Sequence, residues 1–155
     1  MKIRVLIGIL LVGALPLTAS AQSVTKSPMN EQYLPRLGDI MNNIQLRHIK
    51  LSFAGMAQNW ELAAYELRQL RAGLEEAAAM YGGIPVTNVV TMTAPIDSIG
   101  DAIAAKDGKR FAKLFSELTA GCNGCHQSMG RGYIQMRVPT EQPFSNQVFP
   151  PRRTP

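Results

Sequence analysis

The sequence predicts an all-α protein: an antiparallel four-helix bundle with an extended proline-rich C-terminal tail. Three observations lead there. Apolar side chains recur in alternating steps of three and four over four segments, the seam spacing of helices packed side by side. No stretch keeps up the two-residue alternation of a half-buried strand. Beyond Gly130 the chain carries Pro139, Pro143, Pro150, Pro151 and Pro155, a composition that cannot continue a helix.

The first residues stand apart from that pattern. Lys2 and Arg4 precede an apolar run from Val5 to Leu15, Pro16 breaks it, and Ala19, Ser20 and Ala21 supply the small residues read by signal peptidase. The run is too short to span a bilayer, which takes about 20 residues. Residues 1 to 21 therefore read as a cleaved export signal, and the mature form has no membrane span. Residues 22 to 129 are expected to form one helical domain, and residues 130 to 155 the tail.

The full chain of 155 residues has a formal net charge of +5, and its distribution matters more than its total. Residues 22 to 129 carry equal numbers of basic and acidic side chains. The tail holds Arg131, Arg137, Arg152 and Arg153 against Glu141 alone. This mild, unclustered excess does not point to nucleic acid. An ordinary solvated tail explains it, and an acidic protein or lipid surface is the alternative.

The first helix is expected over 34 to 57, with Pro35 in its opening turn and a seam at Leu37, Met41, Ile44, His48 and Leu51. The second runs over 59 to 81, capped by Asn59 and stopped by Gly82, Gly83 and Pro85; its seam includes Ala63, Leu67, Leu70, Leu74 and Ala77. A third and weaker segment, 94 to 106, places Ile96, Ile99 and Ile103 on one face behind Pro95, after a loop at 82 to 93. Asp107 caps the fourth, in which Phe111, Phe115, Leu118, Cys122 and Cys125 carry the seam down to about Met129. Tyr133, Phe144 and Phe149 in the tail predict that it lies over the bundle.

The chemistry is concentrated in Cys122, Asn123, Gly124, Cys125 and His126. Two thiols three residues apart occupy neighbouring helical positions and can bond the two vinyl groups of one haem, while the next residue offers an imidazole to the iron. This C-x-x-C-H spacing is the attachment signal of covalent haem c. A structural disulfide, a thiol redox pair and half of a zinc site compete with it. The redox pair lacks its βαβ setting, zinc lacks further ligands apart from His48, and a disulfide leaves His126 unexplained. Export agrees with haem attachment after translocation, in the periplasm. Asn123 and Gly124 are tolerant intervening positions and receive no chemistry.

A four-helix chain with C-x-x-C-H near the close of its last helix resembles the class II cytochromes c, the cytochrome c prime family and its low-spin relatives. The resemblance covers residues 33 to 129, and its specific elements are Cys122, Cys125 and His126. It implies one haem per chain inside the bundle, with the residue on the far side of the iron supplied by the first helix. A methionine there implies a six-coordinate electron carrier; an unligated apolar group implies a five-coordinate iron that takes small gases. The resemblance also favours a homodimer. The chain departs from the family in continuing for 29 residues beyond His126.

Met41 and His48 are the two candidate iron ligands on the first helix, about 10.5 Å apart along its axis. In an antiparallel bundle the end of the fourth helix adjoins the start of the first. Met41 lies roughly 9 Å from that start and His48 about 20 Å, so Met41 better matches the level of His126, and it corresponds to the first-helix methionine of the low-spin members. His48 reads as an interior histidine, with iron ligation as the alternative. Arg36, Arg47 and Lys50 are available to haem propionates.

Three functional readings follow. The first is a monohaem electron-transfer protein with protein redox partners, its iron held by His126 and Met41. The second is a five-coordinate binder of NO or CO. The third is a haemless interaction protein with a Cys122–Cys125 disulfide. No nucleophile with its base, phosphate-binding loop or paired carboxylates stands out, so no independent enzymatic site is expected.

Overall fold

A computed structural model of the chain describes residues 34 to 151, apart from the side chains of Val86 and Val89. The chain separates into two units, Met1–Tyr33 and Leu34–Pro155. The described residues belong to the second. The export signal expected at 1 to 21 lies outside them, as do Arg152 and Arg153.

Among the described residues four helices form: α1 Leu37–Met56, α2 Trp60–Met80, α3 Val86–Ala104 and α4 Gly108–Ser128. There is no strand among the described residues. Packing joins α1 to α2, α2 to α3, α3 to α4 and α4 to α1. Ile44 and Leu51 of α1, Leu70 of α2, Ile99 of α3 and Phe115 and Leu118 of α4 are buried at the centre. Among the described residues no helix is long and apolar enough to cross a membrane.

The two tight turns share one design. At the end of α1, Gln58 adopts a left-handed φ of 56°, and the Gln58 and Asn59 amides bond the Gly55 and Ala54 carbonyls. Asn59 then caps α2 by accepting from the Leu62 amide at 3.2 Å. At the end of α3, Lys106 has φ 54°, its amide and that of Asp107 bond Ile103 and Ala102, and Asp107 caps α4 by accepting from the Arg110 amide at 3.0 Å. In each case a short polar side chain satisfies one of the free amides of the next helix.

α3 differs from the sequence expectation. It begins at Val86, eight residues before the expected start at 94, so the loop ends at Pro85 and Pro95 lies inside the helix. β-Branched Val86, Thr87, Val90 and Thr91 are weak helix formers, and Pro95 cannot donate to the Thr91 carbonyl. Tertiary packing outweighs both. Met92 is buried with its sulfur over Gly121, where an added Cβ would sit 2.8 Å away. In α1, Pro35 precedes the helix instead of occupying its first turn; its carbonyl accepts from the Tyr81 hydroxyl at 2.6 Å.

Close helix approach depends on glycine at one α1–α4 contact. A Cβ on Gly55 would meet Phe111 Cε1 at 2.1 Å, so only the bare backbone admits that ring. Two turns earlier on α1, His48 Nε2 lies 2.9 Å from Thr119 Oγ1 of α4.

Residues 130 to 151 contain neither helix nor strand and belong to the same unit as the helices. Phe149 is buried against Phe53, with ring centroids 5.7 Å apart, and its carbonyl accepts from Asn59 Nδ2 at 2.9 Å. Phe144 packs on Phe149 and lies under the Lys50 ammonium, 5.0 Å from the ring centroid.

Candidate functional site

Cys122, Cys125 and His126 all lie in the last two turns of α4. Cys122 and His126, four residues apart, stand one above the other on the helix, and Cys125 is offset toward α3. Both thiols are free. Cys122 packs against the hydrophobic core; burial, with a smaller contribution from Cys125, pushes its thiol up to about 11. The Cys125 thiol is also raised by burial, against a hydrogen bond from Asn88.

Cys125 borders a cleft of about 180 Å³ between α3 and α4, lined also by Asn88, Thr91, Met92, Gly121 and Gly124. Gly121 and Gly124 lay bare backbone along it, and nothing comes within 4 Å of a Cβ placed on Gly124. Asn88 Nδ2 donates to Ser128 Oγ at 3.0 Å, and Ser128 donates to the Cys125 carbonyl at 2.9 Å.

His126 is held by the segment that follows it. Gly130 takes a left-handed φ of 68°, the chain reverses, and the Arg131 amide caps the His126 carbonyl at 2.7 Å. His126 Nδ1 then lies 2.8 Å from the Ile134 carbonyl oxygen. A carbonyl only accepts, so the proton is on Nδ1, and the lone pair of the neutral ring is on Nε2. This is the arrangement of a metal-ligating imidazole, whose second nitrogen donates to a carbonyl. Two residues further on, the Met136 amide donates to Asn123 Oδ1 at 2.7 Å, and Asn123 Nδ2 donates back to the Met136 carbonyl at 2.9 Å.

Met41 is half-buried on α1 and packs against the same core as Cys122. His48 is fully buried, its ring 4.5 Å from that of Phe115. The Thr119 hydroxyl donates to the Phe115 carbonyl at 2.8 Å, so His48 is the donor in the Nε2 bond to Thr119, and its Nδ1 has no partner among the described residues. Burial lowers this histidine to about 4. Thr119 is two turns from His126, about 10.5 Å along α4. The first-helix cations available to propionates have other partners: Arg36 with Asp39 at 2.9 Å, Arg47 with buried Glu66 at 3.2 Å, and Lys50 over Phe144.

Among the described residues no group of three or more His, Cys, Asp or Glu side chains gathers as a metal-binding set, so a zinc site built from these side chains alone has no ligand cluster here. The donors that a covalent haem requires are present: two free thiols at the attachment spacing and an imidazole with its Nε2 lone pair. The cleft is smaller than the roughly 300–1,000 Å³ of pockets that enclose a small ligand, so a macrocycle requires displacement of lining side chains such as Asn88 and Met92. Asn123 and the Ile134 carbonyl were not legible as site groups, because a backbone acceptor has no side-chain signature and an intervening position carries no fixed chemistry.

Comparison with protein-family models, with curated proteins and with solved structures finds no match to this chain.

Proposed function

We propose that this chain is a periplasmic monohaem c-type cytochrome that transfers electrons to and from protein partners, built as an antiparallel four-helix bundle with an extended proline-rich tail. One observation carries the reading: His126 donates through Nδ1 to the Ile134 carbonyl and so keeps Nε2 available beside two free thiols. Haem, when bound, supplies an iron that cycles between the ferrous and ferric states. The protein supplies attachment, orientation and burial.

Cys122 and Cys125 would each add an S–H bond across one vinyl group, sulfur to one carbon and hydrogen to the other. His126 Nε2 would bind the iron, its ring fixed by the Ile134 carbonyl. The α1–α4 contacts support both the bundle and Met41 as a second residue that would hold the iron. His48 meets Thr119, and seven residues later on α1 Gly55 meets Phe111, eight residues earlier on α4. That opposed register, continued seven residues the other way, would bring Met41 to the level of His126. His48, two turns away and committed to Thr119 through Nε2, supports the interior role. Met41 as sixth ligand favours electron transfer, since a Met/His pair raises the potential and closes the iron to gases.

The experiment is haem staining on a denaturing gel, followed by visible spectra of the exported protein, oxidised, reduced and exposed to carbon monoxide, with Met41→Ala alongside. Covalent staining and a low-spin spectrum whose methionine-to-iron band disappears in M41A are expected. A high-spin spectrum that shifts with carbon monoxide replaces electron transfer by gas binding, and absence of staining removes haem altogether.

A further inference from the structure

We infer that Asn123, an intervening residue of the C-x-x-C-H motif, is a positioning residue that clamps the backbone at Met136 so that the Ile134 carbonyl holds His126 in its Nδ1–H form. The inference rests on the reading of His126 as the iron ligand.

The geometry is a closed loop of short bonds. Asn123 presents both its amide oxygen and its amide nitrogen to one residue, at 2.7 Å to the Met136 amide and 2.9 Å to the Met136 carbonyl. Such a pair fixes the position and the orientation of the chain segment it holds. The segment is pinned on its other side by the Arg131 amide on the His126 carbonyl and by the Ile134 amide on the Arg131 carbonyl at 2.8 Å. Ile134 therefore lies between two anchors, and its carbonyl is the acceptor for Nδ1.

Asn123 is suited to this by its place in the helix. It sits between the two thiols, three residues before His126, so on α4 it neighbours the imidazole without competing for the positions that attach a group. The clamp is side chain to backbone, so it specifies little about the sequence of the tail except that residue 136 must keep a free amide. Proline at 136 is excluded.

Two consequences follow for the imidazole. Free histidine in water favours the Nε2–H tautomer, which has no lone pair to offer at Nε2; the carbonyl reverses that preference before any metal arrives. Once the ligand is in place, donation from Nδ1 makes the ring more basic, which favours the ferric state and lowers the potential. Release of the clamp lets the segment drift from His126 and undoes both.

The test uses the full chain in two forms. In the chain produced without attached haem, ring nitrogen shifts from long-range proton–nitrogen correlation spectra above pH 7.5 report the His126 tautomer. Nδ1–H is expected in the native chain, with a shift toward Nε2–H in Asn123→Ala. In the haem-loaded protein, the potential of N123A is expected to move upward. Asn123→Asp keeps the acceptor for the Met136 amide and should retain more of the native tautomer; it replaces N123A as the test if the alanine variant does not fold. A native chain with Nε2–H, or a variant in which tautomer or potential stays at the native value, overturns the inference. If no haem is attached, the functional reading fails and the tautomer alone decides whether Asn123 positions His126.

Discussion

His48 Nε2 donates to Thr119 Oγ1 across 2.9 Å, joining α1 to α4 inside the core while His48 Nδ1 has no partner among the described residues. Burial depresses this imidazole from 6.5 to about 4. Between those values the unfolded chain binds a proton that the folded one does not. The contribution of His48 to stability is thus full above pH 6.5 and lost as the pH falls toward 4, by about 3 kcal/mol over the window. Urea unfolding midpoints measured from pH 7 to pH 4 should show this loss, and His48→Leu should remove that component of the slope.

Arg47 and Glu66 form an ion pair at 3.2 Å in which Glu66 is buried. Loss of the cation leaves a buried carboxylate without its partner, so Arg47→Met should destabilise by about 3 kcal/mol. Glu66→Gln, which still accepts from Arg47, should cost less. Denaturant titration of both variants at pH 7 checks the order; equal losses would assign Arg47 a packing role.

Gln58 and Lys106 occupy left-handed backbone at the two tight turns. A side chain with Cβ is strained there, whereas glycine is not. Gln58→Gly and Lys106→Gly should each stabilise by about 0.5–1 kcal/mol, and because the turns are separate the double variant should show the sum.

Phe149 seats the end of the tail in the core beside Phe53. Phe149→Ala should cost about 3 kcal/mol and expose the segment after Gly130 to limited proteolysis. Cleavage after Arg137 that does not accelerate relative to the native chain would separate the tail's docking from Phe149.

Much of the fold was legible because its signals are local. Asn59 and Asp107 mark the starts of α2 and α4 by a side chain that reaches its own helix, and the three-four spacing of Phe111, Phe115 and Leu118 reports a face that must be buried. The start of α3 was not legible. Its β-branched residues and Pro95 argue against helix within a local window, and tertiary contacts such as Met92 over Gly121 and Asn88 on Ser128 reverse the balance.

The site divides in the same way. The sequence by itself determined that two thiols and an imidazole share the end of one helix, because covalent spacing and helical pitch require it, and it made Met41 and His48 the first-helix candidates. Only the tertiary structure decided how His48 is used and what holds His126. His48 was claimed by a threonine on another helix, and His126 by the carbonyl of Ile134, brought back by a chain reversal at Gly130 and a clamp at Asn123. Hydrogen bonds to backbone atoms depend on where the chain passes, and no residue type along the chain records that.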